Sequence, residues 1–174
     1  MSEQAGRYQR SAAGMVGAML VLVAVVFGFV VLRDLNRNDP QNPVKPVDYQ
    51  ETLKLARGQA EFPLLAPASL PKGWRATSVR FVPQPTRWHL GVLTNKDEYV
   101  GLEQSQTSVG DMVETYVDQA AVRGGTVQIV GESWRTWTDA GGDTALTRVQ
   151  KGVTTLVVGT PGRDVLVDYV KSLR

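Results

Sequence analysis

"TRWHLGVLTNKDEYVGLEQS", residues 86–105, sets two runs rich in β-branched and aromatic residues around the polar break "TNKDE". Such a pair, with turn residues between, reads as a β-hairpin. Side chains of a strand alternate between faces. Trp88, Leu90 and Val92 therefore share one face, and Arg87, His89, Gly91 and Leu93 share the other. In the second run Tyr99, Gly101 and Glu103 fall together. A cross-strand pair between His89, the only histidine of the chain, and Glu103 forms if the register allows. Such pairs contribute about 0.2–1 kcal/mol and are most often structural. The candidate binding surface built on this hairpin is Trp88, His89, Glu103 and Gln104. Gln104 and Ser105 also have a plainer use, satisfying loop backbone groups.

Outward from the hairpin the same pattern continues. "WRATSVRFV" (74–82) is a strand before it. "SVGDMVETYVDQAAVRGG" after it switches to helical period, with Ser108 and Asp111 as a capping box and Gly124-Gly125 as the stop. Four further strands follow, "TVQIVG", "SWRTWTD", "TALTRVQ" and "VTTLVVGT", joined by the tight turns "DAGGD" and "QKG". "TPGRDVLVDYVKSLR" closes the chain as a helix, with Thr160 as cap and Pro161 at its first position. Upstream, "DYQETLKLARGQ" is a short helix capped by Asp48, and the proline-broken "FPLLAPASLPKGW" is expected along the domain edge. The expected fold is α+β, with a mostly antiparallel sheet of about six or seven strands and two or three packed helices.

Residues 11–32, "SAAGMVGAMLVLVAVVFGFVVL", carry no charge. As a helix they would extend roughly 33 Å, enough for a hydrocarbon core of about 30 Å. A cleaved signal peptide would have a shorter apolar core and a small-residue cleavage site, whereas the exit here is "VVLRDLNRN". The expectation is an uncleaved N-terminal transmembrane helix. The domains are then a cytoplasmic head (1–10), the helix (11–32), a proline-rich linker (33–47) and an extracytoplasmic domain (48–174). Arginines flank both ends of the span, so charge leaves orientation nearly balanced. A short head before a large C-terminal domain favours the signal-anchor plan: single-pass in the cytoplasmic membrane, N-terminus in, C-terminal domain outside. Gly14, Gly17, Ala18, Ala24 and Gly28 form a small-residue face suited to another membrane helix.

The chemistry to be expected is sparse. Nineteen basic and seventeen acidic residues leave a net charge of +2, which gives no general drive toward nucleic acid. With no cysteine and one histidine, thiolate zinc sites, disulfides and thiol catalysis are excluded. No phosphate loop, dinucleotide-binding glycine pattern or nucleophile elbow occurs, and neither a metal nor a cofactor is expected. An enzyme using His89 with Glu103 or Asp111 requires these groups within near hydrogen-bond reach. Trp134 and Trp137, three apart on one strand, must point to opposite faces, and either belongs to the core or to a binding surface.

"WHLGVLT", "EYVGLEQS", "GESW" and "ALTRVQKGVTTLVVGT" with "SLR" together resemble an uncharacterised family of actinobacterial single-pass membrane proteins, a domain of unknown function. "FPLLAPASLPKGWRATSV" is more loosely similar to extracytoplasmic domains of Gram-positive sensor and anti-sigma proteins. The resemblance implies architecture and brings no chemistry. The functional expectation is a membrane-anchored, non-enzymatic module of the cell envelope that binds an integral membrane partner or a lipid. The alternative is a lipid or small-molecule sensing domain with an apolar pocket between sheet and helices.

Overall fold

The structure, a computed structural model, describes residues 12–35 and 45–174. Contacts divide the chain into two units, the second running Val44–Arg174. The expected head (1–10) and most of the expected linker (36–44) lie outside the described residues.

In the first unit, α1 (Ala12–Leu35) is a 24-residue helix. The expected apolar segment is therefore helical. Side chains are described for residues 14–29, and every large apolar one among them is exposed, from Met15 to Phe29. Among the described residues no helix is long and apolar enough to cross a membrane. Gly14, Gly17 and Gly28 have nothing within 4 Å of where a side chain would start, and Ala18 and Ala24 are exposed.

The second unit runs α2 (Tyr49–Arg57), β1 (Arg75–Pro83), β2 (Thr86–Leu93), β3 (Tyr99–Ser105), α3 (Val109–Tyr116), β4 (Val122–Ile129), β5 (Glu132–Thr138), β6 (Thr144–Gln150), β7 (Val153–Gly159) and α4 (Arg163–Lys171). It is the α+β order expected. The seven strands form one antiparallel sheet, ordered β1-β2-β3-β7-β6-β5-β4. Two meanders thus meet at the β3–β7 pair, and α3 carries the chain from the middle of the sheet to its far edge. Turn chemistry sets the hairpins. Thr94 Oγ1 accepts from the Lys96 and Glu98 amides, closing β2–β3. Lys151 and Gly152 both take positive φ, 51° and 78°, the combination of a type I′ turn.

The two faces are covered unequally. On one, Trp88, Leu90, Leu102, Val157, Leu146 and Trp134 pack beneath α2, α4 and the segment 60–74. On the other, α3 alone seats Met112 and Val113 on Ala145, Leu156 and Val158. Seven strands about 4.8 Å apart make a sheet roughly 29 Å wide. One helix is about 10 Å across with its side chains. The second face must therefore lie open on both sides of α3.

Three expectations are corrected. The prolines do keep 60–74 out of the sheet, but the segment lies across the covered face rather than along the edge, with Leu64 and Ala66 each 2% exposed. Trp88 Nε1 donates to the Leu65 carbonyl (2.9 Å), and the Leu65 amide donates to Gln104 Oε1 (2.6 Å). Gly124-Gly125 does not stop a helix. α3 ends at Tyr116, where Asp118 turns the chain by accepting from the Ala120 amide, and the glycines lie in a bulge of β4. A side chain at Gly124 would collide with Thr136, so close strand apposition accounts for that glycine. Thr160 does not cap α4. Its hydroxyl accepts from the Tyr99 amide (3.1 Å), tying the start of β3 to the end of β7, and Gly162 precedes the helix instead.

Candidate functional site

The register of β2 on β3 places His89 opposite Glu103, and β1 adds Arg80 opposite His89. One rung of the open face therefore reads Arg80, His89, Glu103. The next rung holds Val82, Arg87 and Ser105. Tyr99 from β3 and Met112 and Tyr116 from α3 stand around them, enclosing a cup of about 280 Å³. This lies near the lower end of small-ligand pockets, roughly 300–1,000 Å³.

His89 is held on both ring nitrogens. Nδ1 pairs with Glu103 Oε1, and Nε2 meets Ser78 Oγ at 2.7 Å. Glu103 is only 4% exposed. Burial pushes its carboxyl above the usual carboxylate range, while the His89 hydrogen bond and charge, and then the Arg80 charge, pull it back. Burial pushes the Tyr99 phenol up to about 12, helped by the charge of Glu103. Tyr116 is raised by burial and by Glu103, against the opposing charges of Arg87 and Arg80. Both guanidinium groups thus act on the tyrosine that overhangs the cup.

Hydroxyl, imidazole and carboxylate in this sequence form the relay that activates a serine nucleophile. Ser78 is badly placed for that work. Its Oγ occupies the space that a side chain on Gly91 would fill, beside the Tyr99 ring, and the cup is lined by other groups. With neutral imidazole, Nδ1–H donates to Glu103 and Ser78 O–H donates to Nε2. The serine therefore orients the ring. Gly91 and Gly101 form a cross-strand pair under Tyr99, and a side chain on either would strike its ring.

The candidate residues of the sequence divide between places. His89 and Glu103 meet in the cup. Trp88 and Trp134 are each 1% exposed and belong to the core of the opposite face, so neither presents a ring to solvent. Trp134 lies under Arg148, whose guanidinium carbon is 5.0 Å from the ring centroid. The Gln104 side-chain amide is spent on Leu65, Pro63 and Thr155, clamping 60–74 to the sheet. Trp137 borders a second hollow of about 400 Å³ beyond α3, with Arg123 and Arg135, and its Nε1 donates to Thr147 Oγ1 (2.9 Å). Ser78, Arg80 and Tyr116 were not singled out from the sequence as site residues. Arg87 and Tyr99 already shared the faces of His89 and Glu103 by alternation, but the other three needed the register of β1 and the seat of α3. Among the described residues no three histidines or carboxylates gather as metal ligands.

A family model described as a protein of unknown function (DUF4245) matches residues 7–173. No curated protein matches the chain.

Proposed function

The chain belongs to the DUF4245 family of proteins of unknown function, and from that premise we propose that it is a membrane-tethered, non-enzymatic module of the cell envelope that binds its ligand or partner in the cup of the half-open sheet face. One observation carries the reading. A His89–Glu103 pair, its carboxylate buried and its imidazole half-buried and held on the other side by Ser78, forms the floor of an open hollow ringed by arginines and tyrosines. Fixed polar groups in a concave site are what orient a bound molecule.

The tether is proposed on the whole uncharged run 11–32, which extends beyond the side chains described at 14–29, those too few to cross a membrane by themselves, and on the exposed apolar side chains of that stretch. A helix apolar on all sides needs lipid or protein around it. The family match extends through this helix as well as the domain. The proposed orientation is N-terminus in and domain outside, since large C-terminal domains translocate largely regardless of flanking charge. The open surroundings of Gly14, Gly17 and Gly28 suit close approach by a membrane helix of the partner.

The test is purification of the full-length protein from its own membranes in mild detergent, with mass spectrometry of bound proteins and lipids. It is run beside Tyr116→Ala, which opens the rim of the cup at a 39% exposed residue. A stoichiometric species retained by the natural protein and lost from the variant is expected. Recovery in the alkaline-washed membrane fraction is expected for both. Equal retention by both proteins, or release of the chain by the wash, would end this reading.

A further inference from the structure

We infer that the cup is an anion site, made for the carboxylate or phosphate group of its ligand, with Arg80 and Arg87 as the groups that bind it. This rests on the cup being the binding site proposed above. Three other cations of the domain have acidic partners: Arg75 with Asp97, Arg148 with Glu132 and Lys171 with Asp168. Among the described residues Arg80 and Arg87 have none, although both line the same hollow. The register sets them on diagonal positions of neighbouring strands: Arg80 faces His89, and Arg87 faces Val82. Diagonal neighbours of this kind are within reach of long side chains.

Among the described residues that line the cup the one acidic group, Glu103, is ion-paired with neither arginine. Glu103 is bound to His89 and buried, and it brings at most one negative charge to the cup. Against that one charge stand the two guanidinium charges of Arg80 and Arg87, so the cup keeps a net positive charge. Guanidinium groups offer planar, forked donors suited to carboxylate and phosphate oxygens. The hydroxyls of Tyr99 and Tyr116 and the small volume fit a headgroup or a short polar anion. Three arginines line the second hollow, Arg123, Arg135 and Arg148, but Arg148 is paired with Glu132 and Arg135 already donates to the Gly124 carbonyl (3.3 Å).

The shared chemistry has two sources, a free anion or an anionic lipid headgroup. Full-length protein in maltoside micelles is titrated calorimetrically at constant ionic strength. The ligands are inorganic phosphate, acetate, a short-chain phosphatidylglycerol, and short-chain phosphatidylcholine as the zwitterionic reference. Saturable binding of at least one anion is expected. It should weaken at least about tenfold in Arg80→Gln/Arg87→Gln, since charge-assisted bonds are lost. Arg123→Gln/Arg135→Gln removes equal charge from the same face and should leave affinity within about twofold. Saturation by phosphate or acetate marks a soluble ligand, and saturation by phosphatidylglycerol alone marks a lipid. The inference is overturned if no anion saturates, if phosphatidylcholine binds equally, or if both double variants lose affinity alike. A cup-dependent species in the purification with every anion blank would sink the ligand class and leave the binding reading standing.

Discussion

At the scale of single residues, Glu103 is where chemistry and stability meet. A carboxyl whose folded pKa is raised contributes stability that is complete below its unfolded value, about 4.3, and is lost as pH rises through the folded value. The folded state holds a proton that the unfolded chain releases, so stability falls with rising pH across that window. Glu103→Gln keeps an acceptor for His89 and removes the titration. Urea midpoints from about pH 4 to pH 8 should fall less steeply in this variant. An unchanged slope would assign the pH dependence elsewhere. His89→Ala leaves the buried carboxyl without its partner and should cost about 1–3 kcal/mol, read from the same midpoints at neutral pH. The identity of the pair was legible in the alternation around "RWHLG" and "YVGLEQ". Its third member, Ser78, was not, because β1 sets its own register through a bulge between Ala76 and Ser78.

At the scale of elements, α3 governs how much of the second face is open. Its start was legible: Ser108 Oγ accepts from the Asp111 amide (3.2 Å), the first half of a capping box, and its hydroxyl donates to Asp111 Oδ2 (2.8 Å) in place of the reciprocal backbone bond. Ser108→Ala should cost about 1 kcal/mol in the thermal or urea transition and loosen the Tyr116 wall of the cup. No loss would mean that packing of Met112 and Val113 alone holds the helix. The end of α3 was not legible. Apolar residues at helical spacing continue past Tyr116, but Asp118 turns the chain and Val122 enters the sheet. Strand pairing with β5 outweighed the local helical pattern.

For the domain as a whole, the β3–β7 pair joins two meanders into one sheet, so the halves should unfold together. Leu102→Ala in the first meander and Leu146→Ala in the second, both fully buried, should each cost about 2–5 kcal/mol. Tryptophan fluorescence and far-ultraviolet circular dichroism should give coincident transitions for both variants. Separate transitions for the two probes would show the meanders to be independent.

The sequence by itself determined what depends on neighbours along the chain: the order of elements, the hairpins with their turn residues, the two faces of each strand, and the uncharged run 11–32. These follow from local periodicity and backbone preference. The tertiary structure decided which strands meet at which rung, which face α2, α4 and the segment 60–74 cover, and how little of the other α3 covers. Those outcomes depend on pairings between residues far apart in sequence. No local pattern encodes that Ser78 and Arg80 come to His89, that Gln104 is spent as a clamp, or that two arginines share a hollow whose one acid is paired with the histidine.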